Sequence, residues 1–456
     1  MTFRKIVRTL ASLKFAVAVI LSIATLVAWG TIVEAQYMDA KMAQETVYHG
    51  LLSYLIFGLF AVNLTAVIID RYPWKQHHIG FISAHIGILI LLAGSLVTRY
   101  VGIDGSMTID LGGKSKMITV PETDLVLYTS FGMDSFQKFH EQKVNFFSKP
   151  PTAKNPLKIP LASGDVIFDD FYHYALVDSK IVPSEEKTDP AGVRLQISND
   201  RVNQTQWLLG KKNQPSTLAL GPATIVLTKQ PYVYLGGNVL VLMPVDDDQI
   251  RYEVYSDRLQ KKIKEGEVKA GGQFDLGWMN LQFRLLKYLP QAKQDITYLK
   301  REQASPEAVS AVRFTYNGKT QWLGLNSMVR LFGASEMYVL TYGNRQLPLS
   351  FEMELKNFDV GRYQGTMRAA SYQSLVYLSD EDREVVISMN EPLQHKGFTF
   401  YQASFQEDAM GKPTATVLSV NYDPGRWIKY LGSLLIVFGA VHLFYRRWKK
   451  ARGAYA

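Results

Sequence analysis

Cysteine is absent from the chain, which leaves its eight histidines as the main candidates for metal or proton chemistry. Without thiols there can be no disulfide framework, thiolate metal site, iron–sulfur cluster, cysteine nucleophile or covalent haem attachment to this chain. His85 stands apart, as the one ionisable residue in an apolar run over residues 79–98. An ionisable group at bilayer depth is costly and is by default a functional candidate. A neutral imidazole there can ligate a metal or haem iron without a counter-charge, relay a proton, or bond to a neighbouring helix, and residue type and spacing leave all three open. His78, seven residues earlier, falls on the same helical face. Arg71 and Lys75 precede it and are cations able to meet acidic groups of a ligand or of lipid headgroups. His77 and His78 read as interfacial, His49 as a solvated residue at a span edge, and His442 as an interfacial side chain reaching headgroups. His140, His173 and His395 show no metal-ligand spacing and read as ordinary surface or core. Neither a Gly-rich phosphate loop nor a Gly-x-Ser-x-Gly elbow is found, so no catalytic residue is assigned.

The elements that must position these residues follow from hydropathy. Mean hydropathy over the 456 residues is only −0.04, because the apolar residues are bunched at the two ends. Four stretches approach the ~20 residues needed to cross a bilayer. They place spans at 15–33, 51–69, 79–98 and 427–445. Trp427, Tyr430, Tyr445 and Trp448 flank the last as aromatic belts, and Lys429 within it is expected to snorkel outward. The basic n-region before the first span is followed by no clean cleavage site, so it reads as an uncleaved anchor. Lys and Arg cluster in 1–14, 70–78 and 446–456, while 34–50 is acidic. The bias puts both termini in the cytoplasm and residues 99–426 outside. The net charge of +9 thus reads as orientation and lipid contact, with no nucleic-acid partner.

The outer region reads as strands separated by turns. Residues 312–316, Asn317-Gly318 and 320–323 carry a hairpin signal. Further strands are expected at 166–171, 223–228, 252–255, 351–355, 385–389, 398–405 and 416–422, a short helix at 257–265, and loops at 149–160 and 183–190. The fold class is therefore a membrane protein of α + β type. Four transmembrane helices carry a large antiparallel β-rich extracytoplasmic domain, a sandwich in one or two lobes, between spans three and four. A cysteine-free outer domain suits a bacterial or organellar setting, here read as a bacterial inner membrane, and a site of thiol chemistry it must not join.

Several segments, taken in order, resemble the ResB (CcsB) family of cytochrome c biogenesis proteins of System II. They are Gly30-Thr31-Ile32-Val33-Glu34-Ala35 after span one, Ala84-His85-Ile86-Gly87-Ile88-Leu89 with Gly94 in span three, Lys396-Gly397-Phe398-Thr399-Phe400-Tyr401-Gln402-Ala403-Ser404, and Asn421-Tyr422-Asp423-Pro424-Gly425 leading into Leu431-Gly432. The resemblance implies a subunit that works with a CcsA (ResC)-type membrane partner. The pair takes haem b across the membrane, held non-covalently, and supports its attachment to apocytochrome c. It implies an accessory role in the haem lyase, not a catalyst alone, because the partner's tryptophan-rich haem-binding segment is not in this chain. It maps the family's intramembrane axial haem ligand onto His85, with His78 as runner-up and Arg71 and Lys75 as possible propionate contacts. The competing expectation is a membrane-anchored scaffold or sensor that binds a protein client without haem.

Overall fold

The computed structural model describes residues 3–130, 136–221, 223–333, 336–366, 368–408 and 412–453. The ends of the expected terminal segments, 1–2 and 454–456, lie outside them. By contacts the chain forms two compact units, one of Met1–Ala175 with Lys300–Ala456 and one of Leu176–Leu299.

The first unit holds every helix long and apolar enough to cross a membrane. Helix α1, Phe3–Leu10, is short, and Ser12 then caps α2, Leu13–Tyr37, by accepting from the Phe15 N–H. A left-handed Met38 ends α2, and Asp39 caps the single turn α3, Ala40–Ala43. The helix α4, Leu51–Asp70, and the helix α5, Ile79–Val101, follow, and α6, Arg426–Gly453, closes the chain. Four of these, α2, α4, α5 and α6, have the length and hydropathy of spans. Asn63 of α4 donates to the Leu10 carbonyl at 2.7 Å, which satisfies a polar side chain that lipid could not.

From α5 the chain enters a large sheet built from β1 (Ile103–Asp110), β2 (Lys114–Ser130), β3 (Met337–Arg362), β4 (Ala369–Leu378), β5 (Arg383–Ser388), β6 (Leu393–His395), β7 (Phe398–Glu407) and β8 (Pro413–Tyr422). The strand order along the main path is β5-β4-β3-β2-β1-β8-β7-β6, all antiparallel, and Ser327–Phe332 pairs with β3 and Phe136–Val144 with β2 off this path. The sheet curls so that its two ends share one core with its middle, including Met107, Ile118, Met353, Val376, Ile387, Phe400 and Leu418. The long strands β2 and β3 also reach a second core, where Leu125, Leu127 and Tyr342 meet Phe168 and Phe314. Register shifts at Asn344/Gln346 and Pro348/Met353 let β3 bend between the two cores. Beside the bend Arg345 grips Asp124 with two bonds of 2.8 and 2.6 Å, a geometry that satisfies a nearly buried carboxylate.

The expected hairpin forms as read. Tyr316 pairs with Lys319 across Asn317 and Gly318, whose φ angles of 47° and 74° are those of a two-residue turn. The expected loop at 149–160 includes a short strand, Leu157–Ile159, paired with Val166–Pro183.

The second unit is a sandwich, which meets the two-lobe expectation. One sheet contains Ala223–Leu227, Asn238–Pro244, Gln249–Ser256 and Lys261–Lys269, and the other Gly192–Ser198 and Gln282–Leu289. Their inward faces meet at Leu195, Ile225, Leu240, Val254 and Phe283. One pairing in the otherwise antiparallel region, that of Asn238–Pro244 with Ala223–Leu227, is parallel. One expectation is corrected here. Residues 257–265 are not a helix: 257–260 form a turn with Gln260 at φ 51°, and Lys261–Lys269 is an edge strand on Gln249–Ser256. Its Lys and Glu residues have good helix propensity, but the edge strand puts them in water while Val268 enters the core, and tertiary pairing overrides the weak local preference.

Candidate functional site

The site is built on α5, and α5 is positioned by α6. Three glycines of α5, Gly80, Gly87 and Gly94, recur every seven residues, and three at the same spacing run from just before α6 to its middle: Gly425, Gly432 and Gly439. The two sets meet in antiparallel register. A Cβ on Gly80 would lie 2.8 Å from the Gly439 carbonyl oxygen, one on Gly87 2.7 Å from that of Gly432, and one on Gly425 2.2 Å from that of Gly94. The obstacles are backbone atoms, which cannot swing aside, so glycine is required on both helices. Backbones this close gain dispersion and Cα–H···O contact, the main source of helix pairing in lipid.

His85 lies two residues from Gly87, about 200° round the helix, and so faces away from this seam. Its Nδ1 is 2.8 Å from the carbonyl oxygen of Phe81, one turn back. A carbonyl only accepts, so the bond puts the ring proton on Nδ1 and the lone pair on Nε2. Nε2 has no partner among the described residues. Metal-ligating histidines commonly donate their other N–H to a carbonyl in this way, which fixes the tautomer and ring orientation. The bond is within α5, so the expectation of a bond to another helix is not what the fold uses. The His85 ring packs against Phe81 at 3.9 Å between centroids with the two planes tilted by 33°, and the Arg71 guanidinium lies 3.9 Å from the Phe81 centroid. Arg71, from the end of α4, thus joins an aromatic column leading to His85, and no carboxylate lies within 4.0 Å of it among the described residues.

His78 is differently engaged. Its Nδ1 accepts the Lys75 N–H at 3.3 Å, which leaves the proton of a neutral ring on Nε2 and no lone pair for a metal in this arrangement. His77 packs edge-on against it at 4.0 Å. Lys75 is exposed in the loop before α5 and is not brought to His85 by any contact among the described residues.

Two further readings are corrected. His49 is not solvated: its side chain is 13% exposed, with Nδ1 3.4 Å from Glu45. Burial and the nearby Arg99 hold its imidazole below the usual histidine range, against the opposing pull of Glu45. His442 does not simply reach outward, since its Nε2 is buried without a partner and its ring lies against Gly80. Lys429 reaches toward the sheet end of α6 and finds a partner there. It donates to Asp423 at 2.8 Å, and Asp423 also accepts from Thr98 of α5 at 2.6 Å. Burial raises the Asp423 carboxyl, but the bonds from Lys429 and Thr98 prevail and hold it below the ordinary value. Sequence reasoning passed over this clamp, though an Asp six residues before a Lys at a span boundary is a legible signal.

It also passed over His395. That ring is buried at the β6–β7 turn, with Nε2 3.0 Å from Asp380 and Nδ1 3.3 Å from Glu381, and Phe351 stands edge-on at 4.5 Å. Lys396 pairs with the same Asp380 at 2.6 Å. The Lys396 bond, helped by His395 and opposed by burial, pulls the Asp380 carboxyl down to about 2. The cluster ties the turn after β4 to the turn before β7, near the opposite ends of the curled sheet.

Against this geometry stand the likenesses to known proteins. Residues 332–413, which run from the strand before β3 into β8, match the ResB-like family. The resemblance to the ResB (CcsB) family holds. A stretch of 104 residues is 36% identical to Protein NrfI of Wolinella succinogenes, covering 22% of this chain and 11% of that protein. The ResB-like motifs now have physical reasons. Gly30 lets Tyr48 lie against it, with the hydroxyl 2.2 Å from a Cβ position, so any larger residue there would require the Tyr48 ring to shift. Lys396 and Gly397, at φ 47° and 84°, form the tight β6–β7 turn. Gln402 joins Ser374 and Thr416 in a buried polar network. Asp423 and Gly425 clamp the α5–α6 seam where the sheet ends.

Proposed function

We propose that this chain is a multi-pass membrane subunit in cytochrome c biogenesis that holds haem during its passage to apocytochrome c. The observation that carries the reading is the His85–Phe81 bond, which presents an unprotonated Nε2 on the face of α5 turned away from α6. Haem is the cargo here: an apolar, iron-bearing ring with two propionates. His85 supplies the iron ligand, Phe81 an aromatic neighbour, and Arg71 a cation without a carboxylate partner for a propionate. Since this face offers one imidazole with an open lone pair, His78 being engaged by the Lys75 N–H, the second axial ligand comes from a CcsA-type partner. The Lys and Arg bias orients both termini to the cytoplasm and the β units outside, where they meet the partner and the client.

The test is His85→Ala and His85→Gly in the full chain, purified with its partner. The expected result is loss of Soret absorbance in both, with partial recovery of His85→Gly by added imidazole. Haem retained at full occupancy in both variants overturns the assignment. The absence of cysteine makes orientation directly testable. A single cysteine at Gln76 should be shielded from an impermeant thiol reagent in intact spheroplasts, and one at Lys187 labelled. The reverse pattern refutes the orientation.

A further inference from the structure

We infer that Arg99, Tyr54 and Tyr100 form a second oxyanion site, for the carboxylate of an acidic amphiphile, at the β-sheet end of the His85 face of α5. The inference rests on the proposed haem cargo and extends it to a second resting point. His78, His85, Leu92 and Arg99 are spaced by sevens, so they form one stripe along α5 that drifts only about 20° per step. The stripe lies on the side away from the glycine seam, so α6 does not cover it. α4 runs antiparallel beside it and touches both its ends. Arg71 at the end of α4 lies over Phe81, and Tyr54 in the first turn of α4 accepts from Arg99 Nε at 3.5 Å. Tyr100 follows Arg99 in the chain and lies beside Tyr54. A guanidinium thus stands at each end of the α4–α5 face. His85 is ~21 Å along the axis from Arg99.

Arg99 has no carboxylate within 4.0 Å among the described residues. Glu45, which like Arg99 acts on His49, is engaged elsewhere, by Asn145 at 2.8 Å and by His49 at 3.4 Å. A guanidinium with neighbouring phenol hydroxyls offers several donors to one planar oxyanion, and at the border of the apolar region each such bond is strong. A porphyrin propionate and a lipid phosphate share that chemistry. The carboxylate is favoured because the same stripe carries the open imidazole nitrogen at His85 and a matching cation, Arg71, at its other end.

The probe is metal-free protoporphyrin, as the diacid and as its dimethyl ester, titrated against the full chain in phosphatidylcholine nanodiscs and followed by porphyrin fluorescence. Wild type should bind the diacid at least about tenfold better than the diester, the effect of one charge-assisted hydrogen bond. Arg99→Gln should lower that preference several-fold, Tyr54→Phe less, and Arg99→Gln with Arg71→Gln should bring it near one. Tyr54→Phe serves also as the mild variant if Arg99→Gln does not fold. An unchanged diacid preference in both Arg99→Gln and Tyr54→Phe overturns the inference. So does a wild-type chain that does not discriminate diacid from diester but retains phosphatidylglycerol through Arg99, which would make the site a headgroup contact. Because the probe lacks iron, His85→Ala should leave the preference in place, so failure here and failure of the His85 assignment are read separately.

Discussion

Replacing Gly87 by alanine tests whether α5 and α6 are held by backbone contact. An alanine Cβ at this position would lie 2.7 Å from the Gly432 oxygen, 2.8 Å from the Ile436 nitrogen and 2.8 Å from the Ile436 Cγ1. Ordinary carbon contacts need about 3.5 Å, so the helices must part by roughly 0.5 Å or more. Overpacking of this kind costs about 1–3 kcal/mol, and separation also weakens the paired contacts at Gly80 and Gly94. Alanine is the better helix former by up to about 1 kcal/mol, which offsets part of the loss. Gly58 in α4 supplies the control, because its Cβ would meet nothing within 4 Å and only the propensity gain remains. Thermal unfolding in detergent should therefore show Gly87→Ala destabilised and Gly58→Ala unchanged or slightly stabilised, a gap of about 1–3 kcal/mol between them. Adding Gly432→Ala to Gly87→Ala should cost less than the sum of the two singles, because one displacement relieves both clashes. Equal shifts for Gly87→Ala and Gly58→Ala, or strict additivity of the pair, would refute the close seam.

Other outcomes follow from the same physics. Lys429→Met should destabilise the chain by roughly 1–3 kcal/mol by leaving Asp423 partly buried and unpaired, and Asp423→Asn in the same chain should recover much of it, as unfolding of the two variants would show. The Asp380 carboxyl is depressed to about 2 in the folded state, so its contribution is full above the unfolded value near 4 and is lost as pH falls toward 2. Acid unfolding of Asp380→Asn should accordingly be less steep between pH 4 and 2 than that of wild type. Gly318→Ala should cost about 1 kcal/mol from backbone conformation alone, since φ is 74° and a Cβ would meet nothing within 4 Å. An unshifted melting temperature would contradict the two-residue turn.

Hydropathy and residue type alone were enough to reveal four apolar helices, a β-rich region between the third and fourth, the Asn317-Gly318 hairpin and the solitary status of His85, because each depends on local composition or on periodicity along one segment. Family-like motifs were legible too, but as strings without reasons. The reasons lay in tertiary structure. Gly432 and Gly439 acquire meaning only when α6, more than 300 residues downstream, is laid antiparallel on α5. The failure at residues 257–265 has the same origin, since a Lys- and Glu-rich segment favours helix until a neighbouring strand takes its backbone bonds. The tautomer of His85, the pairing of Lys429, the burial of His49 and the double clasp of His395 are likewise decided by which atoms folding brings within about 3 Å. A sequence states which groups can donate, accept or ligate, and only the packed chain determines which of them still have a free lone pair or an uncommitted charge.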